Sequence, residues 1–209
     1  MEDLFDLSVS KKEHEFVQAG LGIELDVSAD IVETFFDIPY IGSVLKLGRI
    51  GSRFQELHFI RKLARFLEKG REIPEEEKKK FLSNLDAKHR KQMYEYLAHY
   101  LLRAEDDVKA DIMGYIYKER VYSRINNEMF LRLCSIVDSS FVSDLKYLPD
   151  YVENHKYSNE ENFLIVNQLI NLGLIDNDID TGAWFTSASI GLNDLGLSLH
   201  RILDSNGWF

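Results

Sequence analysis

Three aspartates alternate in Asp176-x-Asp178-x-Asp180-Thr181-Gly182, and an arginine and a histidine stand five positions apart in Arg53-Phe54-Gln55-Glu56-Leu57-His58. Alternating carboxylates in a tight turn offer several oxygens to one point, the donor set that a hard cation such as calcium needs. A calcium loop also needs glycine at its sixth position and a bidentate glutamate at its twelfth. Here Gly182 comes one position late and Ser187 stands where the glutamate belongs. Because Asp, Asn and Gly are equally the residues of tight turns, the run is read as a hairpin turn, with Asp176, Asp178 and Asp180 kept as the alternative metal set. His89 and His99 lie ten residues apart and cannot chelate one metal from adjacent helical turns. Cys134 is the single cysteine, which excludes an intramolecular disulfide and a multi-thiolate zinc site. It falls at the apolar edge of its helix and reads as a packed side chain. No phosphate-binding glycine loop, nucleophile elbow or dinucleotide fingerprint occurs, so no cofactor is expected.

The elements that must position these groups are mostly helical. From Tyr40 to Lys69 only glycines interrupt a helical pattern, and its apolar face shifts from Leu47, Ile50, Phe54 and Leu57 to Phe59, Ile60, Leu63, Phe66 and Leu67. Gly48 and Gly51 are the expected bend. Gly70 closes this helix and Pro74 opens the next, where Glu75-Glu76-Glu77 precedes Lys78-Lys79-Lys80 in the order that suits the helix dipole. Asp86 is placed to cap a helix over 87–104 striped by Met93, Tyr94, Leu97, Tyr100 and Leu101. Glu105-Asp106-Asp107 starts another, striped by Val108, Ile112, Tyr115 and Ile116. Asn126-Asn127 starts a third, striped from Met129 through Phe130, Leu133, Ile136 and Val137 to Phe141. Short connections between single-striped helices predict an antiparallel bundle.

The last third changes period. Ser158 and Glu161 match a capping box before a helix over 163–172 that Gly173 ends. Trp184, Thr186, Ala188, Ile190 and Leu192 then alternate as one face of a strand, and Asn193 or Asp194 caps a final helix.

Charge is unevenly spread. The net charge is -10, yet residues 46–103 hold 15 basic and 8 acidic side chains, a local excess of +7. Neutralisation within the chain is the first expectation for such polarity, and docking on an anionic partner is the second. The start Met1-Glu2-Asp3-Leu4-Phe5-Asp6 is acidic where a secretory signal is basic, and together with the lone cysteine it predicts a cytoplasmic protein. The stretch 38–50 is apolar but too short to span a bilayer, and Lys46 and Arg49 interrupt it. A buried helix is expected there, with peripheral attachment to a membrane surface through 38–65 as the alternative.

Several segments resemble known families. The run from Asn167 to Leu203 resembles the end of a winged-helix domain, with Leu169, Leu172, Gly173, Leu174 and Ile175 ending a helix and Ile190, Leu192, Leu195 and Gly196 leading from the wing into a closing helix. This resemblance implies a fold, and in the family the helix before the wing often binds DNA. Here Glu160, Glu161, Asp176, Asp178 and Asp180 stand along that surface, and residues 127–209 hold 4 basic and 12 acidic side chains, which repels a duplex. The middle is similar to tellurite-resistance TerB-like bundles through Gly70-x-x-Ile73, Glu77 and Phe130-Leu131-Arg132-Leu133. Lys69 replaces the acidic residue that usually precedes that glycine, so the resemblance carries no metal site. The run from Ile38-Pro39-Tyr40-Ile41-Gly42 onward resembles small bacterial proteins, some associated with stress or antiviral defence. Arg53 and His58 fit the Arg-x4-His spacing of HEPN ribonucleases, which implies action on an RNA backbone by an Arg and a His from paired helices.

The sequence thus predicts a mainly α chain: a loosely attached segment over 1–27, an antiparallel helical bundle over 28–148, and a small winged-helix-like module containing a β-hairpin over 149–209. The expected function is non-catalytic protein interaction or adaptor work, possible in a homo-oligomer, within a bacterial defence or stress setting. The alternatives are a nucleic-acid-binding regulator using the basic 46–103 region, a HEPN-type ribonuclease using Arg53 and His58, and a peripheral membrane-surface protein.

Overall fold

The computed structural model describes residues 53–153, 155–156, 163–178 and 189–209. The expected segments 1–27 and 38–50, the bend at Gly48 and Gly51, the capping box at Ser158 and Glu161, and the strand residues before 189 lie outside the described residues. The chain is mainly α, with eight helices among the described residues and a small antiparallel hairpin before the last of them. It divides into two compact units, one described from Arg53 to Gly114 and the other running Tyr115–Phe209.

In the first unit α1 (Arg53–Lys69) buries Phe59, Leu63, Phe66 and Leu67, which recur at the i, i+4, i+7, i+8 spacing of one helix face. Gly70 follows in the closing turn, its N–H bonding Leu67 O at 3.0 Å. Pro74 then precedes α2 (Glu75–Asn84), where its carbonyl accepts from Glu77 N. Within α2 the Glu-Lys order produces a pair between Glu77 and Lys80.

Asp86 caps α3 (Ala87–Arg103), its carboxylate accepting from His89 N at 3.0 Å. The same carboxylate contacts the His89 ring, and these bonds to His89 hold the Asp86 carboxyl below its ordinary range. Met93, Tyr94, Leu97 and Leu101 turn inward as the stripe predicts.

Asp106 accepts from Val108 N at 2.9 Å and starts α4 (Asp107–Val121). This helix departs from the single stripe read in the sequence. Lys109, Ala110, Asp111, Ile112, Met113 and Gly114 are six consecutive buried residues, so more than one face of the helix is covered. At Gly114 a Cβ would lie 2.7 Å from Phe66 O and 2.8 Å from Lys69 Cβ, so the side of α4 facing α1 tolerates no side chain there. The helix ends through Ser123, whose φ of 58° lets Arg124 N reach back to Glu119 O and Ser123 N to Arg120 O. Glycine usually fills that position, because a Cβ is unfavourable in the left-handed region.

The second unit begins within α4 at Tyr115 and continues with α5 (Asn127–Ser139), capped by Asn126 Oδ1 accepting from Met129 N at 2.8 Å. Phe130, Leu133, Cys134 and Val137 face the core, and Phe130 meets Tyr117 edge-on. The expected stripe extended to Phe141, but Phe141 is 64 % exposed. Ser140 is the reason: its backbone is extended at ψ 156°, and both its N–H and its hydroxyl bond Val137 O, which ends the helix before Phe141.

A one-turn α6 (Val142–Leu145) and a 3-10 turn (Leu148–Tyr151) lead to β1 (His155–Lys156), then α7 (Phe163–Asn171), β2 (Ile175–Asp178), β3 (Ser189–Leu192) and α8 (Asp194–Ser205). The three strands lie in the order β1-β3-β2, all antiparallel, with Ile175 opposite Leu192 and His155 opposite Ile190. Gly173, at φ 71°, ends α7 with the paired bonds Leu174 N to Leu169 O and Gly173 N to Ile170 O. Against this turn sits α8, so closely that a Cβ on Gly196 would fall 2.2 Å from Leu174 O.

Two substitutions test this backbone geometry by urea unfolding. Ser123→Gly removes the left-handed strain and should stabilise the protein by about 0.5–1 kcal/mol. Gly196→Ala places a methyl group on a carbonyl oxygen and should cost about 2 kcal/mol or more.

Candidate functional site

Arg53 and His58 both belong to α1. Five residues of helix separate them by about 140° around the axis, so a second element would have to bring them to one substrate. His58 is half-buried and engaged in contacts, and the Arg53 side chain lies outside the described residues. Asp176 and Asp178 lie two apart on β2. Asp176 is exposed and accepts from Asn193 Nδ2 at 3.1 Å, while Asp180 lies outside the described residues. Among the described residues no group of three His, Cys, Asp or Glu side chains is placed to hold a metal ion.

Cys134 is wholly buried, and burial pushes its thiol well above the ordinary range, leaving it protonated and packed. His99 meets Tyr100 edge-on and, with Lys88, Lys91, Gln92, Glu95 and Tyr96, lines an open hollow of about 680 Å³ along α3. Charges of both signs share that face, with Lys91 Nζ 3.9 Å from Glu95. No described helix is long and apolar enough to cross a membrane.

The strongest electrostatic feature is one that single-helix periodicity does not reveal. Arg61, Arg65 and Lys69 recur every fourth residue on α1, and Asp107 and Asp111 recur every fourth residue on α4. The two rows meet. Arg61 lies 2.5 Å from Asp107, Arg65 forks onto both Asp111 oxygens with its Nε at 3.1 Å, and Lys69 stands 3.7 Å from Asp111. The Asp111 hydrogen bond raises the Arg65 pKa against the opposing effect of burial. Beside the ladder, buried Lys62 donates its ammonium to Ala104 O at the end of α3. Burial lowers the Lys62 pKa, and the Asp107 charge opposes that shift. Part of the excess positive charge in 46–103 is therefore answered inside its own unit.

The second unit carries a different kind of surface. Phe163 and Leu164, in the first turn of α7, are 62 % and 77 % exposed, whereas Ile165, Val166 and Leu169 of the same helix are buried. At helical pitch the exposed pair points away from the buried trio. Phe141 immediately precedes α6, and α6 packs against α7. Tyr147 and Val152 flank the 3-10 turn and are 41 % and 40 % exposed. Sequence periodicity missed these residues as a surface because apolar residues beside a helical stripe read as core. For Phe141 and Tyr147, the position just beyond the ends of α5 and α6 was the available signal.

The ladder's outer and inner rungs should differ. Breaking the inner one with Asp111→Asn should cost about 1–2 kcal/mol in chemical unfolding, against under about 1 kcal/mol for Arg61→Ala, because the outer pair is more solvated. The Asp86 cap has a pH signature. Its folded pKa lies below the ordinary 3.8, so its contribution is complete above that pH and is lost as pH falls through the lowered value. The Tm difference between wild type and Asp86→Ala should therefore be constant near neutrality and shrink under strong acid. No protein-family model, curated protein or solved structure matches this chain.

Proposed function

We propose that this protein is a non-catalytic interaction or adaptor protein that engages a protein partner through its second unit. The observation that carries this reading is the exposure of Phe141, Phe163 and Leu164 at the packed α6 and α7 elements. Isolated exposed apolar side chains are ordinary on a protein surface, but aromatic and aliphatic side chains grouped on adjoining elements are typical anchors of interfaces.

Supporting evidence comes from what α7 lacks. The strand order β1-β3-β2, with α7 before the hairpin, supports the resemblance to a winged helix, a family in which the helix before the wing often reads DNA. The α7 sequence FLIVNQLIN contains no Lys or Arg, so it offers no cation to a phosphate. A contact surface for protein fits that composition better than one for a duplex. The bacterial stress or antiviral setting is proposed on resemblance alone.

A photo-crosslinking amino acid at position 163, introduced into the full chain in its native cells, tests this reading. A covalent adduct heavier than the chain is expected at 163 and not at exposed Ser135 on α5. Equal labelling at both positions, or none at either, would remove the proposal.

A further inference from the structure

Asn206 is followed by Gly207, the single Asn-Gly step in the chain. In such a step the backbone nitrogen of the glycine can attack the side-chain amide carbon, because no Cβ on the following residue hinders its approach. The bond from that nitrogen to Cγ forms as the Cγ–Nδ2 bond breaks, and the proton of the Gly207 N–H passes through solvent to the departing nitrogen, which leaves as ammonia. Water then opens the cyclic imide at either carbonyl, giving aspartate or its isomer with the backbone routed through the side chain. No oxidant, enzyme or cofactor is needed. Both residues are open to water, Gly207 exposed and Asn206 partly so.

The folded end of α8 opposes each part of this reaction. Asn206 has ψ 14°, so the Gly207 nitrogen nearly eclipses the Asn206 nitrogen, whereas ring closure needs it to eclipse Cβ. The Gly207 N–H is engaged with Asp204 O at 2.9 Å. The leaving amide donates to Ile202 O at 2.7 Å and to Ser205 Oγ at 3.3 Å. Reaction therefore requires the last turn to open, and helix ends open at far lower cost than the whole fold.

Conversion also undoes what the turn holds. Gly207, at φ 67°, and the bond from Trp208 N to Leu203 O at 3.1 Å fold the chain back on α8, where Phe209 stacks on His200 with ring centroids 5.1 Å apart and meets Trp208 edge-on. An acid at position 206 has no proton for Ile202 O and sets a negative charge at the negative end of the helix dipole. The isomer adds a backbone carbon inside the turn itself. We propose that Asn206 is a site of spontaneous amide-to-acid conversion, gated by opening of the last turn of α8, and that conversion frees Trp208 and Phe209 from His200.

The test is to incubate the full chain in mildly alkaline buffer beside a free peptide spanning 204–209 and to follow both by digestion, liquid chromatography and mass spectrometry. Acid should accumulate at 206 in the folded chain as two separable isomers, ahead of Asn126, Asn171 and Asn193, which precede bulkier residues. Its rate should be at least about tenfold below that of the peptide. Urea that unfolds the chain should bring the rate up to the peptide's. Asn206→Gln, whose longer side chain cannot close the five-membered ring, should keep its amide over the same interval.

Asn206→Asp supplies one product directly. Hydrogen exchange at the Gly207 and Trp208 amides should quicken by about tenfold in that variant, with the amides of α5 unchanged. Conversion in the folded chain at the peptide's rate, or an amide at 206 that persists as long as those at 126, 171 and 193, overturns the gated site. Unchanged exchange at Gly207 and Trp208 in Asn206→Asp overturns the release of the aromatic pair.

Discussion

Asp111 enters the interior of the first unit beside Lys109, Ile112 and Met113, and a carboxylate taken out of water there must be met by charge. The basic row on α1 supplies it. Arg65 meets Asp111 with a fork of two nitrogens, which ties α1 to α4 at that position. The close approach at Gly114 works on the same pair of helices from the packing side. Apolar burial supplies the driving force for assembly, and the ion pairs together with the missing side chain at Gly114 select the register in which it occurs.

Much of the fold was legible because it is written in local chemistry. Asp86, Asn126 and Asn193 start helices where their side chains accept backbone N–H groups, and Gly173 ends one where a positive φ is needed. These signals act within a few residues, so a linear sequence contains them whole. The burial of α4 is of another kind. Its extent depends on what packs around it, and its charged residues look solvent-facing until the opposing row on α1 is known. Ser140 illustrates a third case. The apolar period continues across it to Phe141, but a hydroxyl bonded to Val137 O stops the helix, and one local hydrogen bond moves a phenylalanine from core to surface.

The candidate site was less legible than the fold. Spacing drew attention to Arg53 with His58 and to the three aspartates, since chemistry-bearing side chains stand out in a string of letters. Surface recognition by apolar groups leaves no such mark. Phe163 and Leu164 are apolar like their buried neighbours Ile165, Val166 and Leu169 and differ from them in the direction in which α7 presents them. The first unit pairs part of its charge internally across α1 and α4.

Asn193 shows how narrow a chemical choice can be. Its side-chain oxygen accepts from Leu195 N and Gly196 N to begin α8, while its amide nitrogen donates to Gly173 O and to Asp176 Oδ1. Aspartate would start the helix as well, but it has no proton to give at neutral pH. Hydrolysis of that one amide during chemical ageing would keep the helix start and turn both attractions into repulsions, loosening the hairpin from the turn behind it without altering any apolar contact.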